Sequence, residues 1–296
     1  KSGFVSIIGR TNVGKSSIIN SLVGEKVAAI ANKPQTTRTV IRAIVNRPNS
    51  QIIFIDTPGI HKPKSKLGNV MVDNAFEVSK DVDVLVFVIE ATSKEIGKGD
   101  RLILDKIKAA KRKTILVINK IDLASKAKVA EIIDLYKNEY DFASIIPVST
   151  VKNINLDVIL DEIEKNLKEG PAYYNIEEYT DQTTRQLVEE TIREKALKLL
   201  EDEVPHGILV EVDKMKKRKT MENEPIYNID ATIYCLREAH KGIIIGKNGS
   251  MLKKIGTYAR QDLEKMLGIK INLKTWVKVK EDWINNEKIL KNFKLQ

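Results

Sequence analysis

Residues 9–16 read Gly-Arg-Thr-Asn-Val-Gly-Lys-Ser, and this stretch decides the fold of the first half of the chain. It follows an apolar run at residues 4–8 and leads into a helix-like run at residues 16–23. Glycine, lysine and serine at this spacing, between a strand and a helix, indicate a loop whose backbone amides wrap nucleotide phosphates. The residues expected to bind the nucleotide are Gly9, Arg10, Thr11, Asn12, Val13, Gly14, Lys15, Ser16 and Ser17.

On either side of this loop's helix, short apolar runs alternate with helix-like stretches as far as residue 165. That order predicts an α/β P-loop domain, a mostly parallel sheet with helices on both faces. An amphipathic helix is expected to close the domain. The runs expected to form strands are 4–8, 51–55, 82–89, 114–118 and 144–148.

Three further segments follow predicted strands, where they would meet a bound nucleotide. In residues 56–59, Asp56 is expected to hold a Mg²⁺-bound water, and the Gly59 amide to reach the γ-phosphate. A carboxylate at Asp122 would accept both the N1–H and the exocyclic amine of guanine, a donor pair that adenine lacks, so the segment predicts GTP rather than ATP. The nucleotide contacts expected from these segments are Asp56, Thr57, Pro58, Gly59, Ile60, Asn119, Lys120, Asp122, Ser149 and Thr150.

The second half has a different pattern, and Gly170-Pro171 interrupts the chain before it. We expect a GTP-binding domain at 1–167, a linker at 168–180 and a second domain at 181–296. The predicted order in the second domain is helix, strand, strand, helix, helix, strand and C-terminal helix. A basic loop at 214–219 is expected to join the first two strands, which are predicted at 207–213 and 226–236.

A Gly-x-x-Gly turn at residues 246–249 lies between the two central helices of that order. This arrangement predicts a smaller α+β domain of the type II KH class, which clamps about four nucleotides of single-stranded RNA. An apolar floor for bases is expected from Ile243 to Ile245 and from Ile255. The residues expected to bind RNA are Gly242, Ile243, Ile244, Ile245, Gly246, Lys247, Asn248, Gly249, Ser250, Lys253 and Lys254.

Charge agrees with an anionic partner without proving one. The formal net charge is +10, and residues 241–280 carry ten Lys or Arg against two acids. Surplus lysine also serves solubility, so the lysines of the last predicted strand, at 270, 274, 278 and 280, are equally explained as a solvated face. The single cysteine, Cys235, excludes an internal disulfide and favours a reducing, cytoplasmic location. The histidines lack partners at zinc-ligand spacing, and no apolar run reaches membrane-spanning length.

Residues 33–39 and 56–68, together with the segments above, resemble the Era family of bacterial GTPases, and the resemblance covers nearly the whole chain. It implies Mg²⁺ held by Ser16, Thr37 (rather than Thr36) and, through water, Asp56. It also implies binding to the 3′ end of small-subunit rRNA, a part in assembly of the 30S particle, and peripheral contact with the inner membrane. Two positions depart from the family pattern, Thr39 where histidine is common and Asn248 within the turn.

The groups expected to act in hydrolysis are Lys15, Thr37, Gly59 and Asn12. Many GTPases orient the attacking water with a glutamine where this chain has Ile60, so intrinsic turnover is expected to be slow. Asn12 resembles the asparagine of potassium-dependent GTPases, which implies K⁺ beside the phosphates. A bracing role in the loop explains Asn12 equally well.

Two other classes of protein were weighed against this interpretation. A P-loop kinase for small molecules would not need the guanine-binding segment at 119–122. A signalling GTPase acting through protein effectors fits the first domain but leaves the turn at 246–249 and its basic surroundings unexplained. No stable protein partner is inferred. GTP is expected to order residues 33–39 and 56–68 and thereby to change how the KH domain is held.

Overall fold

The computed structural model describes residues 1–31, 33, 36–38, 40–59, 65–78, 81–219 and 223–292. Its internal contacts divide these residues into two compact units. The first comprises Lys1–Ala28 and Thr37–Asp181, and the second comprises Ala29–Thr36 and Gln182–Asn292. The described residues of the range 29–36 therefore belong with the C-terminal half, although they lie in the first part of the sequence.

The first unit is built on a six-stranded sheet with the order β2-β3-β1-β4-β5-β6. All neighbours pair in parallel except β2 and β3, which are antiparallel. The middle strands are buried on both faces, as a parallel sheet between helices requires. The strands are β1 (Ser2–Gly9), β2 (Ile41–Arg47), β3 (Ser50–Asp56), β4 (Val84–Glu90), β5 (Thr114–Asn119) and β6 (Ser144–Pro147).

Helices cover both faces of this sheet, and each face has its own apolar core. Val5, Val86 and Val117 face one core, while Phe87 and Leu116 face the other, because successive side chains of a strand point to opposite faces. The predicted α/β P-loop fold is confirmed. The helices of the unit are α1 (Lys15–Val23), α2 (Lys66–Val78), α3 (Lys98–Ala110), α4 (Lys126–Lys137) and α5 (Leu156–Asn166).

Strand β2 was missed in the sequence. It carries Arg42, Asn46 and Arg47 among its apolar residues, and it is an edge strand of the sheet, so its pattern is weaker than that of a central strand. Part of the segment predicted as a linker lies against this edge. Ile44 donates its amide to the carbonyl of Tyr179 at 2.9 Å, and residues 43 and 180 form an isolated bridge. The segment thus continues the hydrogen bonding of the sheet.

The second unit has a three-stranded sheet in the order β7-β8-β9, with β7 and β8 antiparallel and β8 and β9 parallel. Its core is formed by one face of the sheet and by the helices packed on that face. The order of elements is the predicted one, and the KH fold is confirmed. The elements are α6 (Thr184–Leu199), β7 (Leu209–Lys219), β8 (Pro225–Cys235), α7 (Glu238–Ile245), α8 (Ser250–Leu267), β9 (Lys270–Val279) and α9 (Glu287–Asn292).

One sequence-based assignment in this unit was wrong. The basic stretch 214–219 is not a loop but the second half of β7, paired residue by residue with positions 225–230 of β8. A register shift between Val212 and Lys214 marks a bulge at this point. Such a bulge interrupts the alternation of apolar and polar residues that identifies a strand. The lysines that follow the bulge make the second half of β7 look like a polar loop in the sequence. No helix among the described residues is both long enough and apolar enough to cross a membrane.

Candidate nucleotide and nucleic-acid sites

The loop at residues 9–16 joins β1 to α1, as the sequence predicts. Gly14 has a φ of 100°, and a Cβ there would lie 2.2 Å from the side-chain nitrogen of Asn119. Neither the backbone angle nor the space allows another residue at this position without distortion. The loop therefore comes up against the end of β5, and helix α1 begins directly at Lys15.

The Lys15 side chain is buried and folds over the loop from which it starts. Its ammonium group donates to the carbonyls of Gly9 at 3.1 Å and Arg10 at 2.9 Å. Burial lowers the pKa of Lys15 to about 8, and the nearby Asp56 carboxylate opposes that shift. The two carbonyls that hold this buried ammonium are neutral. Phosphate oxygens carry negative charge, so they would bind the ammonium more strongly.

Ser16, Thr37 and Asp56 come together although they are far apart in the sequence. The Ser16 hydroxyl donates to Asp56 Oδ2 at 2.8 Å and lies 3.0 Å from Thr37 Oγ1. Thr37 Oγ1 in turn donates to Asp56 Oδ2 at 3.3 Å. Two hydroxyls and a carboxylate form a set of hard oxygen donors, the kind that Mg²⁺ takes together with nucleotide phosphates. These residues fit the ion that the sequence predicted for them.

The two threonines of residues 36–37 differ clearly in their contacts. Thr36 Oγ1 donates to the carbonyl of Lys33 at 2.6 Å and to that of Ala31 at 3.1 Å, so it is engaged within its own segment. Thr37 is the residue whose hydroxyl faces the carboxylate. Of the two threonines, Thr37 has its hydroxyl in the cluster with Ser16 and Asp56, and it is the one that the family resemblance favours as a metal ligand.

The segment after β3 lies directly on the phosphate-binding loop. A Cβ on Gly59 would lie 2.8 Å from the Cα of Thr11, so only glycine allows this approach. The buried Thr57 hydroxyl donates to the carbonyl of Ile7 at 2.8 Å and fixes the segment to β1. Ile60 and positions 61–64, as well as 34, 35 and Thr39 of the earlier segment, lie outside the described residues.

Among the residues expected to recognise the base, Lys120 contacts the same loop. Lys120 donates to the carbonyl of Asn12 at 2.7 Å and pairs with Glu90 Oε2 at 2.8 Å. Ser149, buried after β6, donates from its hydroxyl to Asp122 Oδ1 at 2.5 Å. That bond fixes the orientation of the carboxylate.

Glu90 and Asp100 are functional neighbours that sequence reasoning missed. The Arg10 guanidinium, expected at the nucleotide, instead donates from Nε to the buried Asp100 at 2.9 Å and approaches Glu90 at 3.9 Å. Burial raises the pKa of the Asp100 carboxyl, and Arg10 opposes that shift. The Arg10 side chain is thus held by acids beside the loop, while its backbone lies within the loop. Glu90 ends β4, and the carboxyl end of a parallel strand was the signal that could have identified it.

The Gly-x-x-Gly turn has the geometry of a tight connection between α7 and α8. Gly246 has a φ of 72° and Gly249 a φ of 75°, and Asn248 also adopts a left-handed conformation with a φ of 52°. A Cβ on Gly246 would lie 2.9 Å from the Met251 amide nitrogen. Asparagine tolerates this backbone region better than most residues, so its presence in the turn is compatible with the fold.

The side chains around the turn are of two kinds. Lys247, Lys253 and Lys254 are exposed, as phosphate contacts require. Ile243 is half exposed, but Ile244 and Ile255 are fully buried in the core of the second unit. The predicted apolar floor is therefore wrong for Ile244 and Ile255, since successive residues of a helix point in different directions.

Comparison with known proteins agrees with both halves. Residues 4–120 match the family model described as a 50S ribosome-binding GTPase, and residues 203–284 match a KH domain. The protein GTPase Era of Clostridioides difficile is 51% identical over 99% of this chain and 98% of its own length. GTPase Era of Caldanaerobacter subterraneus is 50% identical over 98% of this chain and 96% of its own length.

Two solved structures cover the whole chain. A variant of Aquifex aeolicus Era bound to GDP and AlF4⁻ is 39% identical with a TM-score of 0.94, covering 100% of this chain and 99% of that chain. Era in complex with MgGDPNP and nucleotides 1506–1542 of 16S ribosomal RNA is 40% identical with the same TM-score of 0.94 and the same coverage.

Proposed function

Because this chain belongs to the Era family and is a GTPase, we propose that it is a switch that acts on the small ribosomal subunit. GTP and Mg²⁺ occupy the loop at residues 9–16, and the KH domain binds the 3′ end of small-subunit rRNA during assembly of the 30S particle. One observation carries the proposal. The same chain holds the hydroxyl and carboxylate cluster of Ser16, Thr37 and Asp56 and an exposed, lysine-flanked turn at 246–249.

The catalytic half works by positioning and charge neutralisation. Lys15 holds the β- and γ-phosphates in place of the two carbonyls it now contacts, and the Gly59 amide reaches the γ-phosphate. Ser16, Thr37 and, through a water, Asp56 would hold Mg²⁺, which when bound neutralises charge on the phosphate oxygens. Asn119 and Lys120 brace the loop, and Asp122 selects guanine.

Potassium completes this proposal, because an isoleucine at position 60 cannot hydrogen-bond an attacking water. Asn12 lies in the loop with an exposed side chain, and its backbone is left-handed with a φ of 65°. An amide oxygen there is free to hold K⁺ beside the phosphates. Turnover should rise when K⁺ replaces Na⁺, and Asn12→Ala should lose that rise. Equal turnover in the two salts would exclude the cation.

The RNA half rests on the turn and on the relatives. The family model matched by residues 4–120 is described as a 50S ribosome-binding GTPase. The related structure instead holds 16S rRNA, the RNA of the small subunit. The small-subunit RNA is the better-supported ligand, because the structure that holds it spans both units of this chain at 40% identity, whereas the family model covers the GTPase half alone. Binding to this RNA would place the protein in the cytoplasm.

Gating by GTP has a physical route in the second unit. Glu194 of α6 accepts a hydrogen bond from the Ile30 amide at 3.2 Å, and the Arg193 guanidinium donates to the carbonyl of Thr36. The next residue in the chain is Thr37, whose hydroxyl lies in the proposed Mg²⁺ cluster. Ordering of Thr37 by GTP therefore acts on a segment that α6 holds.

The test of the RNA assignment is direct. The protein should bind an RNA with the sequence of 16S nucleotides 1506–1542 more tightly than a scrambled RNA of the same composition. The preference should persist as salt is raised, because purely electrostatic binding ignores sequence and collapses with salt. Equal affinity for both RNAs would leave the GTPase without this RNA partner and favour a protein effector.

A further inference from the structure

The sheet of the second unit covers its core with one face only. In β9, Ile271 is buried and Leu273, Val277 and Val279 pack against the same core. The alternate residues of β9 point the other way and are all exposed. They are Lys270, Asn272, Lys274, Trp276 and Lys278. We call this second side of the sheet, including the residues of β7 and β8 in register with it, the open face.

The register of the strands brings the basic half of β7 onto the same open face. Lys214 pairs with Asp230 of β8, which pairs with Lys274 of β9. Arg218 and Lys270 flank Ile226 in the same way. The cations that share the face, every one exposed, are Lys214, Lys216, Arg218, Lys270, Lys274 and Lys278.

The acids on this face are few and mostly engaged. Glu211 accepts a hydrogen bond from the Tyr234 hydroxyl at 3.0 Å, and Asp213 accepts one from the Thr232 hydroxyl at 2.7 Å. Asp230 lies between two lysines across the strands. The face therefore keeps an excess of positive charge, which attracts a polyanion.

Two aromatic rings lie among these charges. Trp276 is 44% exposed at the edge of the sheet, between Lys274 and Lys278 in sequence. Lys280 lies with its ammonium 4.5 Å from the centre of the Tyr234 ring. An exposed ring flanked by lysines is the combination that binds single-stranded RNA, in which bases stack on the aromatic side chain and phosphates meet the cations. Lysine is depleted in protein interfaces, so a protein partner fits this face less well.

The open face is separate from the turn at 246–249. Ile244 of α7 and Ile255 of α8 are buried in the core together with Ile271, so both helices pack on the opposite side of the sheet. RNA clamped at the turn, which takes about four nucleotides, does not cover this face.

We propose that the open face is a second RNA-binding surface, which takes single-stranded RNA beyond the few nucleotides held at the turn. The inference rests on the proposed function, since it adds a second contact for the same kind of ligand. Lys274 and Lys278 contact phosphates, and Trp276 stacks on a base. A second RNA-binding surface explains why cations cluster on the open face, where no catalytic residue and no residue of the turn lies.

The experiment compares two RNAs on the full-length protein, a tetranucleotide that fills the turn and a single-stranded 12-nucleotide RNA that contains it. The double variant K274Q/K278Q should weaken binding of the 12-nucleotide RNA about tenfold and leave the tetranucleotide unchanged. The slope of log affinity against log salt should fall by roughly 1.4 for the longer RNA, since each contact on single strands adds about 0.7. K126Q/K168Q, which removes two exposed lysines of the first unit, is the charge-matched control.

Trp276 reports contact directly, because the other tryptophan, Trp283, is fully buried. The longer RNA should quench the fluorescence of the wild type, and W276F should abolish that quenching. Unchanged affinity in K274Q/K278Q together with no quenching would overturn the inference while the turn keeps its role. If K274Q/K278Q lost binding to anionic phospholipid vesicles while its RNA binding stayed intact, the face would be assigned to a membrane. That result would also overturn the inference. Failure of the wild type to bind either RNA would contradict the proposed function as well.

Discussion

Asn119 donates a hydrogen bond from its side-chain amide to the backbone carbonyl of Val13 at 3.0 Å, so the end of β5 holds the phosphate-binding loop in place. Lys120 makes a second such link to Asn12. The segment at residues 119–122 therefore braces the phosphate-binding loop. In the proposed function it has a second task, the presentation of Asp122 to the guanine.

Replacement of Asp122 by asparagine should change the base preference. Asparagine has one acceptor and one donor where the carboxylate has only acceptors, so one of the two guanine contacts is lost. GDP affinity should fall roughly 10- to 150-fold, since hydrogen bonds to a charged group each contribute about 1.5–3 kcal/mol. Xanthosine diphosphate, which has a carbonyl in place of the amine, should gain affinity in competition binding.

The exposed Asp141 offers a control of the same chemistry, since Asp141→Asn lies away from the base-recognition segment. It should leave the preference for GDP unchanged. If Asp122→Asn also keeps the full preference, Asp122 does not read the base.

Gly59→Ala should separate GTP from GDP binding. The added Cβ meets Thr11 at 2.8 Å, so the segment must move and take the Gly59 amide away from the γ-phosphate. Affinity for a non-hydrolysable GTP analogue should fall at least about tenfold, the scale of one hydrogen bond to a charged group. Turnover should fall about 100-fold or more, the scale of a lost transition-state donor. GDP, which lacks that phosphate, should bind nearly as before.

Gly97→Ala is the matched control, because a Cβ there meets nothing nearer than Asp100 at 4.0 Å. Its nucleotide affinities should match those of the wild type. An equal loss of GDP and GTP-analogue binding in Gly59→Ala would contradict the assignment of the Gly59 amide to the γ-phosphate.

Thr37→Val tests the choice between the two threonines. Valine keeps the shape of the side chain but removes the hydroxyl that faces Asp56. Hydrolysis measured by phosphate release should fall about 10- to 100-fold and GDP affinity should change little, as for loss of one electrostatic contact to the reacting phosphates. Thr36→Val removes a hydroxyl that bonds only within its own segment, so it should cost much less. The reverse order of effects would assign the metal to Thr36.

The Gly-x-x-Gly turn can be tested at Gly249, where an added Cβ meets no atom within 4 Å. Aspartate and asparagine both tolerate its left-handed backbone, so the two variants should fold alike and differ only in charge. Gly249→Asp should lose RNA binding by repelling phosphate, while Gly249→Asn should keep most of it. GTP binding should be the same in both. Equal RNA affinity in the two variants would remove the turn from the phosphate contact.

The sequence predicted the fold well where short, regular patterns carry the information. The P-loop spacing, the buried parallel strands and the order of elements around residues 246–249 were all readable, because each depends on local periodicity and glycine placement. The edge strand β2 and the second half of β7 were not, since polar residues and a bulge break their alternation.

The site shows the same division. Ser16 and Asp56 were assigned correctly to one place, because the carboxyl ends of parallel strands meet at one edge of the sheet. The pairing of Arg10 with Asp100 depends on how α3 packs beside the loop, and no spacing in the sequence encodes that contact. Burial of Ile244 likewise follows from the orientation of α7 in the folded unit.

Control of RNA binding by GTP is tested most directly by the RNA affinity of the protein in two nucleotide states. An RNA with the sequence of 16S nucleotides 1506–1542 is titrated at fixed salt with a non-hydrolysable GTP analogue and then with GDP. We expect tighter binding with the analogue, and a smaller difference in Arg193→Gln, which loses the bond to the Thr36 carbonyl. Equal affinity in the two states would contradict this control by GTP, since a ligand shifts an equilibrium only by its differential affinity.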